Sequence, residues 1–239
     1  MKIDFSEKVV VVAGGTGGLG RAVSLAFLEE AASVIVTYRK EEEFSALKSS
    51  AGASAALLEG YRVDVTDEVA VAEFVGRVLV KNGRIDAVVN TIGGYAGGIK
   101  LWDLETKVFD AMLNLNLRSG FTLARAVLPA MLKQGHGAVV NVAAKAAVDH
   151  GAGAAAYAAS KAAAVALMDS LAADAKGTGV RVNSILPSII DTAANRQAMP
   201  DADFSTWPKP EDLAQVILFL CSDMARAVHG AAIPVYGND

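Results

Sequence analysis

The chain has 239 residues, 53% hydrophobic and 20% charged, with 22 Lys and Arg against 26 Asp and Glu and a net charge of −4. That balance excludes a disordered chain, and without a basic excess it excludes the electrostatic footprint of a nucleic-acid or membrane-surface binder. One cysteine, Cys221, excludes an intramolecular disulfide and a cysteine-rich metal site.

At the start, Lys2, Asp4, Glu7 and Lys8 precede the valines at 9–12, which is not the pattern of a secretion signal. No uncharged apolar run reaches the ~18 residues of a membrane span, so the expectation is a soluble cytoplasmic protein. Val9–Ala13 reads as a buried strand, followed by a helix over about 18–31 and a second strand at Ser33–Thr37. A helix at 41–50 leads to a strand near Ala56–Val63, diluted by alanine and glycine, and then to a helix at 67–82. The strand Ile85–Asn90 is followed by one long helical pattern at 105–134. Ala138–Val142, a helix at 154–178, the strand Arg181–Leu186, a helix at 210–223 and a last short strand at Ile233–Tyr236 complete the order. Strand and helix alternating in this way predict a single α/β domain, a doubly wound parallel sheet of the Rossmann type, over 1–239. The alanines of 143–175 suit close helix packing, possible at a subunit interface, and a homodimer or homotetramer is expected.

Two constellations carry chemistry. The first strand runs into AGGTGGLG at 13–20, so Gly14, Gly15, Thr16, Gly17, Gly18, Leu19 and Gly20 form a turn whose missing Cβ atoms let the backbone approach a pyrophosphate. The ribose of such a nucleotide is read after the second strand. No acid stands there: the chain reads Thr37-Tyr38-Arg39-Lys40, with Glu41 to Glu43 slightly later. Arg39 and Lys40 could pair with a 2′-phosphate, which favours NADP(H) and leaves NAD(H) possible. Asp64-Val65 follow the third strand; the Asp64 carboxylate could accept from an adenine amine or cap the helix starting near Asp67.

The second constellation is YAASK at 157–161. Residues four apart lie on one helix face, so the Lys161 ammonium can approach the Tyr157 phenol. A nearby cation lowers the pKa of a phenol that starts near ~10, which would give a proton donor. His136, His150 and His229 have no metal-ligand spacing, and no metal is expected.

With these residues in place the chain resembles the short-chain dehydrogenase/reductase family over nearly its whole length. Further matching blocks are NTIG at 90–93, Asn116 within NLRSGF, and PSIIDT at 187–192. The resemblance implies that Tyr157 is the general acid and that Lys161 lowers its pKa and holds the nicotinamide ribose. It implies that Asn116 supports a water-linked proton path, that Asn90 and Gly93 flank the cofactor, that Ile189 and Thr192 lie near the carboxamide, and that Pro187 also belongs to the cofactor site. One departure stands out: the catalytic serine expected thirteen residues before the tyrosine is Ala144.

The stretches GGYAGG at 93–98, AAKAAVD at 143–149 and LPSIIDTAANRQAMPDADFSTW at 186–207 are similar to the quinonoid dihydropteridine reductase branch, which also lacks that serine. That branch uses NADH and an acid after the second strand, where this chain has Tyr38-Arg39, so the nucleotide half does not follow it. The resemblance implies a reductase of a quinonoid dihydropterin-like small molecule. Tyr95 could stack on a flat substrate or pack its own loop, and Ala144 and Lys145 could line the pocket, Lys145 equally being a solvated lysine. A flap is expected at about 188–208, with Trp207 over the site or simply packed; Asp191, Asn195 and Arg196 fit capping and flap contacts. The alternatives are a reductase of another carbonyl, quinone or pterin, and a non-catalytic NADP-binding regulator.

Overall fold

The computed structural model describes residues 3–238; Lys2 lies outside them. Seven strands form one sheet in the order β3-β2-β1-β4-β5-β6-β7, and every neighbouring pair is parallel. The strands are β1 Val9–Ala13, β2 Ser33–Tyr38, β3 Leu58–Arg62, β4 Ala87–Asn90, β5 Gly137–Val142, β6 Val180–Pro187 and β7 Ala232–Val235. The helices are α1 Gly18–Glu29, α2 Glu41–Ser50, α3 Glu68–Asn82, α4 Thr106–Leu113, α5 Ser119–Gln134, α6 Ala155–Asp174, α7 Ala193–Ala198 and α8 Pro210–Cys221. Parallel neighbours cannot be joined by tight hairpins, so the chain must cross over between them, and helices fill most of the crossovers.

β1 shows how the sequence produces the layers. All five residues are buried, and they alternate: Val10 and Val12 pack with Val23 and Phe27 of α1 and Leu213 and Ile217 of α8, while Val9, Val11 and Ala13 pack with Phe74 and Val78 of α3 and Leu123 of α5. A strand covered on both faces needs a continuous apolar run rather than an alternating one, which is what the four valines supply. The order reverses direction between β1 and β4, and in an open parallel sheet the crevice beyond the strand C-termini at such a switch point is where ligands bind.

Three predicted elements differ. The helix expected over 105–134 is interrupted: Asn114–Arg118 form a π-helical turn between α4 and α5. β3 begins at Leu58 because Gly52–Leu57 form a 3₁₀ turn, so the first two residues of the predicted strand belong to that turn. The expected flap region contains a short helix of its own, α7, capped by the Thr192 side chain accepting from Asn195 N–H. Among the described residues no helix is long and apolar enough to cross a membrane.

Candidate active site and nucleotide cleft

The glycine turn leaves β1 and enters α1 with very little room. Gly14 has φ +74° and its N–H donates to Thr37 Oγ1 at 3.0 Å. A Cβ on Gly20 would lie 2.0 Å from the Gly14 carbonyl oxygen, so the turn closes only with glycine there. Gly17 caps α1 with no side-chain hydrogen bond, so no side chain satisfies the first N–H groups of that helix. These are the features an anion-binding helix N-terminus requires. Leu19 buries its side chain in the core, so only its backbone can serve a ligand.

Beside this turn lies a cleft lined by Gly14, Thr16, Gly17, Thr37, Tyr38, Arg39, Glu43, Val63, Asp64, Val65, Thr66, Thr91, Ile92, Gly93 and Leu115. Seven of the residues expected to hold a nucleotide meet here, from the ends of β1, β2, β3 and β4: Gly14, Thr16, Gly17, Arg39, Asp64, Val65 and Gly93. Asp64 is not the helix cap; Asp67 is, accepting from Val69 and Ala70 N–H. Asp64 instead accepts from Thr66 N–H at 2.9 Å and Thr66 Oγ1 at 2.8 Å, and these bonds hold its carboxyl below the usual range. The Val65 carbonyl accepts from Thr122 Oγ1, which ties this edge to α5.

Asn90 does not face the cleft. It is buried, its Nδ2 donating to Asn141 Oδ1 at 2.9 Å and to Ser119 Oγ at 3.3 Å, while its Oδ1 accepts from Ile92 N–H. It fixes the 91–93 loop from below, because a polar side chain at a buried strand end must find partners inside.

The proton-transfer group sits where the π turn, the 91–94 loop and α6 converge. Asn116, buried in the π turn, accepts from Gly94 N–H at 2.9 Å and donates to the Gly94 carbonyl at 3.1 Å and to Ser160 Oγ at 2.9 Å; Ser160 in turn donates to the Tyr157 carbonyl. A Cβ on Gly93 would lie 3.0 Å from Lys161 Nζ and 3.1 Å from Asn116 Oδ1, so the three residues crowd one volume. π turns commonly mark functional positions, and this one directs Asn116 toward Gly94. Ser160 has no motif that would have revealed it in the sequence; it is recruited by packing.

The expected acidification of Tyr157 is not present. Burial, and secondarily the neighbouring Tyr95, push the phenol up to about 12, while burial alone lowers Lys161 to about 8. Lys161 Nζ donates to the Val142 carbonyl at 2.9 Å. Desolvation disfavours the charged form of each group, which raises the phenol and lowers the ammonium. The Tyr95 ring meets Tyr157 edge-on, centroids 5.0 Å apart at 77°, and is largely exposed.

Ala144, directly beyond β5, is buried and brings no hydroxyl. Lys145 Nζ lies 5.1 Å from the centre of the Tyr236 ring. Trp207 is buried against Phe204, centroids 4.9 Å apart, so its ring packs the flap rather than standing open over the site. The flap is further tied by Arg196, which pairs with both carboxylate oxygens of Asp191 and covers the Phe204 ring. Thr192 approaches α1 closely: a Cβ on Gly18 would lie 2.9 Å from its Cγ2. Pro187 is buried at the end of β6 and Ile189 is partly exposed. Among the described residues no cluster of three or more His, Cys, Asp or Glu could hold a metal ion.

This fold and cleft are those of a dinucleotide-binding α/β protein. Residues 8–203 match the short chain dehydrogenase family, and the chain belongs to it. It is 33% identical to the 3-oxoacyl-(acyl-carrier-protein) reductase FabG of Thermotoga maritima over 97% of both chains. It is also 33% identical to the meso-2,3-butanediol dehydrogenase of Serratia marcescens over 98% of this chain and 95% of that protein. Among solved structures, ElxO with NADP bound superposes with a TM-score of 0.91 at 26% identity, covering 96% of this chain and 97% of that one. NAD+-bound xylitol dehydrogenase superposes with a TM-score of 0.90 at 26% identity, covering 98% and 99%.

Proposed function

We propose that this oxidoreductase uses NAD(P)H, with Tyr157 as proton donor, and that its preferred acceptor is a flat conjugated heterocycle of the quinonoid dihydropterin type. Ala144 carries the substrate reading. A ketone reductase gains from a hydroxyl that stabilises charge on the carbonyl oxygen, and losing such a donor costs ~2.7–4 kcal/mol of transition-state stabilisation. A quinonoid dihydropterin regains conjugation on reduction and concentrates less charge on one oxygen. Tyr95, exposed and standing beside Tyr157, offers a ring face for a flat substrate.

The glycine turn and the first N–H groups of α1 fit a pyrophosphate. Arg39 would take a 2′-phosphate, favouring NADP(H) with NAD(H) also admitted, in keeping with the NADP- and NAD+-bound structures it resembles. Asp64 and Val65 would flank the adenine, and Gly93, Pro187, Ile189 and Thr192 the nicotinamide. When bound, the nicotinamide supplies the hydride. Tyr157 then delivers a proton. With its pKa raised to about 12 it holds that proton throughout the neutral range until reduction leaves a basic atom on the substrate to receive it. Lys161 would hold the nicotinamide ribose and bring positive charge to the phenolate that remains. Asn116, fixed by Gly94 and Ser160, would position the water that returns the proton.

A second reading, reduction or oxidation of an ordinary carbonyl–alcohol pair, is favoured by the names of the two relatives. Initial rates with quinonoid dihydropterin, a 3-oxoacyl thioester and a 2,3-diketone, for wild type and Ala144→Ser, separate the two. On the proposed reading the dihydropterin has the highest kcat/KM. Ala144→Ser then raises carbonyl turnover by up to ~10²-fold without helping the dihydropterin. A wild-type preference for the carbonyls overturns it, and cofactor binding without turnover of any acceptor would make the chain a non-catalytic NADP-binding regulator. A homodimer or homotetramer is proposed through α4, α5 and α6. Exposed Phe109 and Phe121 on α4 and α5 support it, and sedimentation of the purified protein checks it.

A further inference from the structure

We propose that Glu43 is a second reader of the adenosine ribose, and that its carboxylate restrains the preference for a 2′-phosphate set by Arg39. The inference rests on the reading of the cleft as a dinucleotide site. By sequence the position after β2 holds no acid, because Tyr38 and Arg39 stand there. In the folded chain an acid arrives by another route. The first turn of α2 runs back toward the glycine turn, and Glu43 reaches the cleft from it. Glu43 Oε2 accepts from Thr16 Oγ1 at 3.1 Å, and Oε1 lies 3.4 Å from Lys40 Nζ. Thr16 belongs to the pyrophosphate turn and Arg39 to the end of β2, and the ribose must lie between those two points. Glu43 therefore stands at the ribose with a hydroxyl donor on one side and a cation on the other.

The chemistry of the two nucleotides then separates. A ribose with a free 2′-hydroxyl can donate to Glu43, replacing the Thr16 hydroxyl or adding to it. A 2′-phosphate brings like charge to the same volume and must displace the carboxylate outward, although Arg39 attracts it. Lys40 keeps the carboxylate from repelling as strongly as it would alone. The site is built to admit both cofactors, with Glu43 and Arg39 pulling in opposite directions.

Calorimetric titration of NADP+ and NAD+ into wild type, Glu43→Gln, Thr16→Val and Arg39→Ala tests this without any substrate. Glu43→Gln should tighten NADP+ and weaken NAD+, shifting the ratio of dissociation constants by about tenfold, the scale of one hydrogen bond to a charged group. Thr16→Val, which removes only the donor to Glu43, should shift the ratio less, and Arg39→Ala should shift it the opposite way. A ratio changed less than about twofold by Glu43→Gln, or both nucleotides weakened together, overturns the assignment while leaving the cleft a nucleotide site. Wild type binding neither nucleotide overturns the reading of the cleft itself.

Discussion

β4 is flanked by two polar centres four residues apart, Asp86 just before it and Asn90 at its end, and the chain treats them differently. At the Asp86 end the carboxylate is surrounded by donors that tie strands together. One carboxylate oxygen accepts from Val9 N–H at 2.9 Å; the other receives Arg84 at 2.5 Å and faces His136 Nε2 at 3.1 Å, with Lys8 at 3.8 Å. Gln134 clamps the backbone of Ile85 from both sides. Burial would raise the Asp86 carboxyl, but the Val9 N–H, Arg84 and His136 outweigh it and hold the carboxyl below its usual value. At the Asn90 end burial is not outweighed. Tyr157 and Lys161 are desolvated with no counter-charge, so burial shifts each toward its neutral form, to about 12 and about 8. The same low dielectric locks a structure where donors surround the charge and displaces titration where they do not.

The contrast can be broken at either end. The largest effect is expected from Tyr157→Phe, which should lower kcat by about 10²–10⁴-fold, the usual worth of a general acid, with the melting temperature almost unchanged. A rate within threefold of wild type, or a collapse in stability, would remove the phenol from the chemistry. Asp86→Asn should do the reverse. The loss of charge-assisted bonds to a buried carboxylate costs about 2–3 kcal/mol, or roughly 5–10 °C in a chain of this size, and kcat of the folded fraction should hold. The sign follows from its lowered pKa: the stabilisation from Asp86 is fully present above the unfolded carboxyl value near ~3.9 and is lost as pH falls through the folded one. Acid denaturation of Asp86→Asn should therefore show a shallower pH dependence than wild type below about pH 4.

The smallest effect sharpens the comparison. With Lys161 at about 8, its charge is present below that pH and lost above it, so kcat/KM should fall on the alkaline side with a midpoint near 8. Tyr157, at about 12, should add no limb to a profile measured from pH 6 to 10. A midpoint near the ordinary lysine value, about 10.4, would mean that the ammonium is solvated and that the two ends of β4 do not differ as described.

Much of this was legible in the chain because it is local. The valines at 9–12, the glycines at 14–20 and the YAASK spacing act through neighbours within a few residues, and the structure keeps each as a strand, a closed turn and one helical face. The break at Asn114–Arg118 was not legible, because it goes with hydrogen bonds from Asn116 to Gly94 and Ser160, 22 and 44 residues away. Trp207 and Lys145 were plausible pocket residues by position, and the partners the structure provides for them, Phe204 and Tyr236, could not be read from the pattern.

The sequence by itself determined the parallel sheet, the phosphate turn, the Tyr157–Lys161 pair and the missing hydroxyl at Ala144. These follow from backbone sterics, periodicity and spacing, which a linear chain already contains. Only the tertiary structure decided the titration of that pair and the arrival of Glu43 beside Thr16. A pKa depends on how much water packing removes, and a pocket's charge depends on which distant segments packing brings together; neither quantity exists until the chain has folded.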